Sequence, residues 1–192
     1  MSVQPQRHRF SIDTYDEMVA CGILTSDDRV ELLAGEIIEM SPIGSRHAAC
    51  VKRLNRLFSR AVADRAIVGA RDPVALPPHS EPEPDLTLLR PREDFYAQSH
   101  PRPGDVLLLV EVAESSLEFD RTIKLPLYAA AGIPEMWVVD LTARTIEVCA
   151  RPADGAYVER RLVGADGVIA LTAFPDIRLR AVDILGPVED AR

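Results

Sequence analysis

Lysine is almost missing from this chain. Of 22 basic side chains in 192 residues, only Lys52 and Lys124 are lysines. A sequence that prefers arginine yet keeps lysine at 124 does so by chance, or needs there what arginine lacks, a compact ammonium with a tunable pKa. Cysteine is scarce too, at Cys21, Cys50 and Cys149. Widely spaced thiols without a Cys-x-x-Cys pair make neither a disulfide framework nor a zinc site. They fit a cytoplasmic protein with reduced thiols. No run is long and apolar enough to span a membrane. The stretch Met1 to Arg9 is polar and lacks a signal-peptide core, so export is not expected. A phosphate-cradling glycine loop and a dinucleotide fingerprint are absent, as are repeats, low-complexity segments and domain linkers.

Positive net charge is also missing. The formal net charge is -8, which argues against a protein that coats nucleic acid generally. It leaves room for an enzyme acting on nucleic acid, because a carboxylate-lined metal site is itself acidic and binding needs only a local basic surface. What is present is 47% hydrophobic and 27% charged residues. That is enough for one domain with a real core over residues 1–192, its core spanning about residues 11–184.

Along the chain, Ser11 to Gly22 reads as a helix capped by Asp13 or Thr14 and ended by Gly22. Arg29 to Leu33 and Glu36 to Met40 flank Ala34-Gly35 as a hairpin. Ser45 to Ala66 is the clearest long helix, with Leu54, Leu57, Phe58 and Val62 at helical spacing and a row of basic residues beside them. Ile67 to Leu76 reads as a strand broken by Pro77-Pro78, and His79 to Pro84 as an extended loop with an exposed acidic edge at Glu81 and Glu83. Asp85 to Leu89 and Val106 to Val112 are strands, the second apolar enough to be central in a sheet. Glu93 to Gln98 suits a helical turn between them.

Ser115 to Ala131 reads as a helix capped by Ser115-Ser116 and ended by Gly132. Pro126 conflicts with that, and predicts a kink or a later helix start. Met136 to Asp140 is another buried strand; Thr145 to Cys149, Tyr157 to Val163 and Val168 to Leu171 suit a meander at the sheet edge. Ile177 to Ile184 closes the list of strands, before a loose tail from Gly186 to Arg192. This order predicts an α/β fold with one mixed central sheet flanked by helices.

Two of these strands carry a carboxylate at one end, Asp85 and Glu111, and Lys124 follows on the next helix. An acid at the tip of a buried strand is costly unless it is paired or holds a cation. Two of them side by side make an oxygen-rich pocket suited to Mg²⁺ or Mn²⁺. Plain alternatives stand beside this. Asp85 suits a turn after proline, Glu111 an ion pair with an arginine, Glu31 a hairpin surface charge, and Lys124 a solvated pair with Asp120. His47 suits solvent or a satisfied core better than a ligand role, and Trp137 and Tyr128 suit the core. The helix arginines with Arg90, Arg92 and Arg121 can contact phosphate or simply face water.

Several stretches, taken in order, resemble the Uma-type putative restriction endonuclease family of the PD-(D/E)XK nuclease superfamily. They are Val30 to Pro42 with His47 following, Glu83-Pro84-Asp85-Leu86, Leu109-Val110-Glu111-Val112, Asp120-Arg121 through Lys124 to Tyr128, and Ala131 to Asp140. The resemblance implies a restriction-endonuclease-like fold, a divalent metal, Mg²⁺ or Mn²⁺, and DNA as substrate. It matches Asp85 and Glu111 to the two acidic residues, and Glu31 to an acid from an N-terminal element. It departs at Ala113, where the superfamily pattern has lysine; Lys124 is the matching substitute from the next helix. On this footing Asp85, Glu111 and the Val112 carbonyl hold the metal. Lys124 orients the attacking water or stabilises developing charge, and Glu31 binds the metal or its water shell. A homodimer able to cut both strands is a further expectation. The competing readings are a non-catalytic nucleic-acid-binding or assembly module on a nuclease-like fold, and hydrolysis of RNA or another phosphate ester.

Overall fold

The computed structural model describes residues 7–25 and 27–187. Its centre is a six-stranded mixed sheet in the order β3-β4-β5-β6-β7-β8. The strands are β3 (Ile67–Gly69), β4 (Leu86–Leu89), β5 (Val106–Ala113), β6 (Glu135–Asp140), β7 (Thr145–Ala153) and β8 (Ala156–Gly164). All neighbours run antiparallel except β5 and β6, which are parallel. A parallel pair needs a crossover, and the helical segment between β5 and β6 supplies it. The apolar run at 106–112 is central, as its composition predicts.

Alternation along β5 sends its side chains to two cores. Leu108, Val110 and Val112 pack under α2 (Ser45–Val62), against Cys50, Leu54, Phe58 and Val62. Each such fully buried side chain contributes about 2 kcal/mol. Leu109 and Ala113 face the other way, towards α4 (Leu125–Ala130) and its Leu125, Tyr128 and Ala129. Glu111 has the same parity as Leu109 and Ala113, so it too faces α4.

The first helix, α1, runs Ile12–Ala20, and its cap is Ser11, whose side chain accepts from the Thr14 N–H. That replaces Asp13 or Thr14 in the role. The predicted hairpin forms as β1 (Val30–Leu33) and β2 (Glu36–Glu39). Tyr15 of α1 donates its hydroxyl to the Val30 carbonyl at 3.1 Å. Glu81 donates its N–H to the Leu32 carbonyl at 2.7 Å, tying the hairpin to the proline-rich loop. Glu81 is therefore buried at 6% exposure, not part of an open acidic edge. Burial, with Asp16 and Glu83 nearby, pushes its pKa to about 7.

Three other elements differ from expectation. β3 stops at Gly69 instead of continuing to Leu76, because residues past it leave the ladder with β4. Val168–Ala170 (β9) leaves the main sheet and pairs with Arg178–Arg180 (β10) in a small sheet of its own. The chain then turns helical at α5 (Ala181–Leu185), where a strand to Ile184 was expected. Arg53 of α2 donates to the Ile184 and Leu185 carbonyls at 2.8 and 3.0 Å and anchors that helix. Of the expected tail, residues 188–192 lie outside the described residues.

The Ser115–Ala131 segment resolves its conflict with Pro126 through a π turn. α3 (Leu117–Phe119) leads into a π-helix at Asp120–Lys124 and then α4. The Leu125 N–H reaches back five residues to the Asp120 carbonyl, and Pro126 falls in the first turn of α4, where it lacks only a donor that is dispensable there. Ser116 does not cap with its side chain; its hydroxyl donates to Asp120 Oδ2 at 2.7 Å. No helix among the described residues is long and apolar enough to cross a membrane.

Candidate active site

The site is built at one end of β4 and β5. Leu86 pairs with Val110, so Asp85, one residue before β4, lies level with Glu111. Glu111 faces the π-helix and α4, while Asp85, in the bend just before β4, turns its carboxylate to His47 of α2 and the Val112 N–H at the same end of the sheet. Residues four apart on a helix share a face, and here Asp120, Lys124 and Tyr128 all turn inward. Lys124 Nζ stands 3.2 Å from Glu111 Oε1 and 3.1 Å from Glu31 Oε2. The Tyr128 hydroxyl donates to Glu111 Oε1 at 2.7 Å. The four residues picked from sequence, Glu31, Asp85, Glu111 and Lys124, therefore line one cavity of about 340 Å³.

Lys124 is buried and pairs with Glu31 and Glu111, not with Asp120 in solvent. Ala113, buried on the same face as Glu111, carries no group that could compete for the place. Glu31 arrives from β1, and its Oε2 also accepts the Glu83 N–H at 3.1 Å. Asp85 Oδ2 accepts the Val112 N–H at 2.8 Å and stands 2.9 Å from His47 Nε2. His47 is thus an interaction partner of the site, at the start of α2, rather than a solvent-facing histidine. Its Nδ1 is buried with no hydrogen-bond partner among the described residues.

The charges do not balance. Burial pushes the Glu111 pKa up, Lys124 opposes this, and Asp120, Asp85 and Glu31 reinforce it. Burial alone would discharge Lys124, but Glu111 and Glu31 more than reverse that and hold it above the usual lysine range. Burial and the Glu111 charge keep Tyr128 protonated, so it serves as a donor. Burial also raises Asp120, while Ser116 and Lys124 pull it down. Among the described residues, acids outnumber the single buried cation, Lys124.

The donor set is all oxygen, the chemistry of Mg²⁺ or Mn²⁺. In each of Asp85 and Glu111 one oxygen is held by hydrogen bonds, while Asp85 Oδ1 and Glu111 Oε2 accept none among the described residues. Both carboxylates line the cavity. No three His, Cys, Asp or Glu side chains among the described residues stand together at ligand spacing. The residues fit a cation held by two carboxylates with backbone and water oxygens, not a closed cage of side chains.

Two cavity residues escaped the sequence reading. Arg29 and Arg71 are half-buried on its wall and lower the pKa of Glu83 against the rise that burial imposes. No ion pair occupies them among the described residues. Many of the arginines weighed between phosphate and water are engaged within the fold. Arg53 holds α5, Arg90 donates to the Gly104 carbonyl, Arg92 pairs with Asp94, and Arg121 with Glu147. Lys52, Arg56 and Arg60 stay exposed without ion pairs among the described residues. Trp137 is core, as expected, with its indole N–H on Glu135. Tyr128 is both core and site; its spacing of four from Lys124 on one helix was the available signal.

No curated protein matches the chain. A solved structure described as a putative nuclease belonging to DUF820, from Anabaena variabilis, superposes with a TM-score of 0.73 at 16% identity, covering 92% of this chain and 97% of that one. At that identity the likeness establishes the fold. The family described as "Uma2: Putative restriction endonuclease" matches residues 12–182. That match takes in the hairpin, the carboxylate strands, the lysine-bearing helix and the outer strands together, and the chain belongs to this family.

Proposed function

We propose that this chain is a Mg²⁺- or Mn²⁺-dependent endonuclease that hydrolyses DNA phosphodiester bonds. The observation that carries the reading is Lys124, the buried ammonium lying between Glu31 and Glu111 in the cavity that Asp85 also lines. Asp85 and Glu111 would hold the metal. Within a β-strand the N–H and C=O of one residue point to the same side, and the Val112 N–H already faces Asp85; the Val112 carbonyl is a further oxygen ligand. Such a cation supplies Lewis-acid polarisation of the phosphate and a lowered pKa for bound water.

The protein groups supply the rest. His47 and the Val112 N–H fix the Asp85 carboxylate. Tyr128 and Lys124 fix Glu111. Lys124, held between Glu111 and Glu31, would orient the attacking water or stabilise charge on the phosphate oxygens, and Glu31 would bind the metal or its water shell. A single domain, with its core at about residues 11–184, carries these groups in the cytoplasm, and two copies form a homodimer able to cut both strands of a duplex.

Calorimetric titration with Mn²⁺ tests the assignment before any substrate is chosen. The wild type binds saturably and Asp85→Asn does not. Equal binding by both proteins removes Asp85 from the site. A second reading, a non-catalytic nucleic-acid-binding module on the same fold, draws on Ala113 and on the net charge of -8. It expects metal-independent duplex binding that Glu111→Gln leaves unchanged.

A further inference from the structure

The two edges of the main sheet differ. β3 offers only three residues. β8 has nine, with no proline and a constant register against β7 in which only the Arg151–Val158 pair is missing, where Arg151 takes a positive φ. Its backbone makes no hydrogen bond beyond β7 among the described residues, apart from the Gly164 carbonyl accepting the Gly167 N–H. A long regular edge strand is a template for another strand unless something blunts it. The edge also carries two exposed apolar side chains about a charged centre. Val158 is 64% exposed and Leu162 63%, among the most exposed large apolar residues of the described structure.

The sequence of this edge, Val158-Glu159-Arg160-Arg161-Leu162, is complementary to itself in reverse. A two-fold axis perpendicular to the sheet keeps each residue on its own face, so opposed residues must share parity. With the axis at Arg160, Val158 opposes Leu162 and Glu159 opposes the partner's Arg161, each twice. With the axis at Glu159 or Arg161, like charges meet and the apolar pair is lost. Arg160 would meet its own copy at the axis, but its guanidinium is drawn back onto Glu147, with Nε 2.8 Å from Oε1. Arg161 is exposed and has no ion pair among the described residues. Glu159 pairs with the exposed Arg151 and keeps a second oxygen for another donor. Cross-strand pairs of these kinds, apolar on apolar and acid on base, each favour pairing by about 0.2–1 kcal/mol.

We infer that two copies of this chain dimerise by antiparallel pairing of β8 with β8 about Arg160, joining the two sheets into one. This names the surface of the homodimer included in the proposed function, and it does not depend on the nuclease chemistry.

Sedimentation equilibrium tests it. The wild type is a dimer. Arg161→Glu, which sets Glu159 against a new acid while leaving the pair with Arg151 intact, weakens the dimer by about tenfold or more. Glu159→Arg added to Arg161→Glu restores opposite charges across the axis and recovers most of the loss. Thermal melts show whether each variant is folded, and both positions are exposed. A monomeric wild type overturns the inference and the homodimer together. A wild-type dimer that Arg161→Glu leaves intact, or that the double variant fails to restore, overturns β8 as the surface and leaves another surface to carry the dimer.

Discussion

Glu111 and Glu147 lie in one row across the sheet. Both are paired with Val138, Glu111 from β5 and Glu147 from β7, and both are buried on the face that the π-helix covers. The same helical segment serves both. Arg121 donates to Glu147 at 2.9 Å, while Lys124 and Tyr128 reach Glu111 at 3.2 and 2.7 Å. Glu147 also receives Arg160, so two guanidinium groups compensate one carboxylate. Glu111 shares one ammonium with Glu31 and has Asp85 and Asp120 as further acids nearby. A carboxylate matched by two arginines is a structural tie. A carboxylate among others with one shared lysine is short of positive charge, which is the condition for taking up a cation.

The comparison breaks most visibly at Lys124. Lys124→Ala removes the one buried cation among the described residues and leaves acids facing each other. Urea unfolding at pH 8 should show a loss of about 3 kcal/mol or more. The loss should shrink at pH 5, where the carboxylates protonate, and Mn²⁺ should recover part of it. A variant equally stable at both pH values would mean that the acids do not depend on Lys124.

Glu111→Gln and Glu147→Gln sharpen the contrast. Glu111→Gln relieves repulsion, so stability holds or rises at neutral pH, while duplex cleavage falls by about 100-fold or more. Glu147→Gln strands two guanidinium groups and costs about 1–2 kcal/mol, with cleavage unchanged. Plasmid nicking beside urea unfolding reads both. The reverse pattern would exchange the roles of the two acids.

The effect furthest from the metal ligands concerns Glu81, at the hairpin end of the acidic region. Its pKa is about 7 in the fold against an ordinary 4.5. Below the ordinary value it is protonated folded or unfolded and has no effect. Between the two values only the unfolded chain ionises, so stability falls as pH rises from about 4.5 to 7 and stays lower above that. The decline is at most about 3 kcal/mol. Glu81→Gln should flatten the curve, raising the melting temperature at pH 8 more than at pH 5. Parallel curves for wild type and variant would remove Glu81 as the source.

Much of the site was legible because its signals are local. Val106 to Val112 is apolar throughout except at Glu111, so that acid stands out at the end of a central strand. Asp85 stands out after Pro84, and Lys124 by the scarcity of lysine. His47 was read as bland because nothing within its own helix indicates a partner; its contact with Asp85 spans 38 residues. Nothing in the sequence around Arg29 and Arg71 marks them, and only the loop packing sets them on the cavity wall. The π turn at Asp120–Lys124 was visible only as a conflict with Pro126.

Alternating and helical periodicity, turn residues and composition by themselves determined that this chain builds a mixed sheet with helices on its faces, and which strand lies at its centre. They also marked Asp85, Glu111 and Lys124, because a charge in an apolar run is costly wherever the run folds. Tertiary structure alone decided that Lys124 lies against Glu31 and Glu111, that Tyr128 and His47 hold the two acids, and that β9 leaves the sheet for β10. Those outcomes depend on contacts between residues far apart in the chain, where loop closure and packing, not local preference, determine which groups meet.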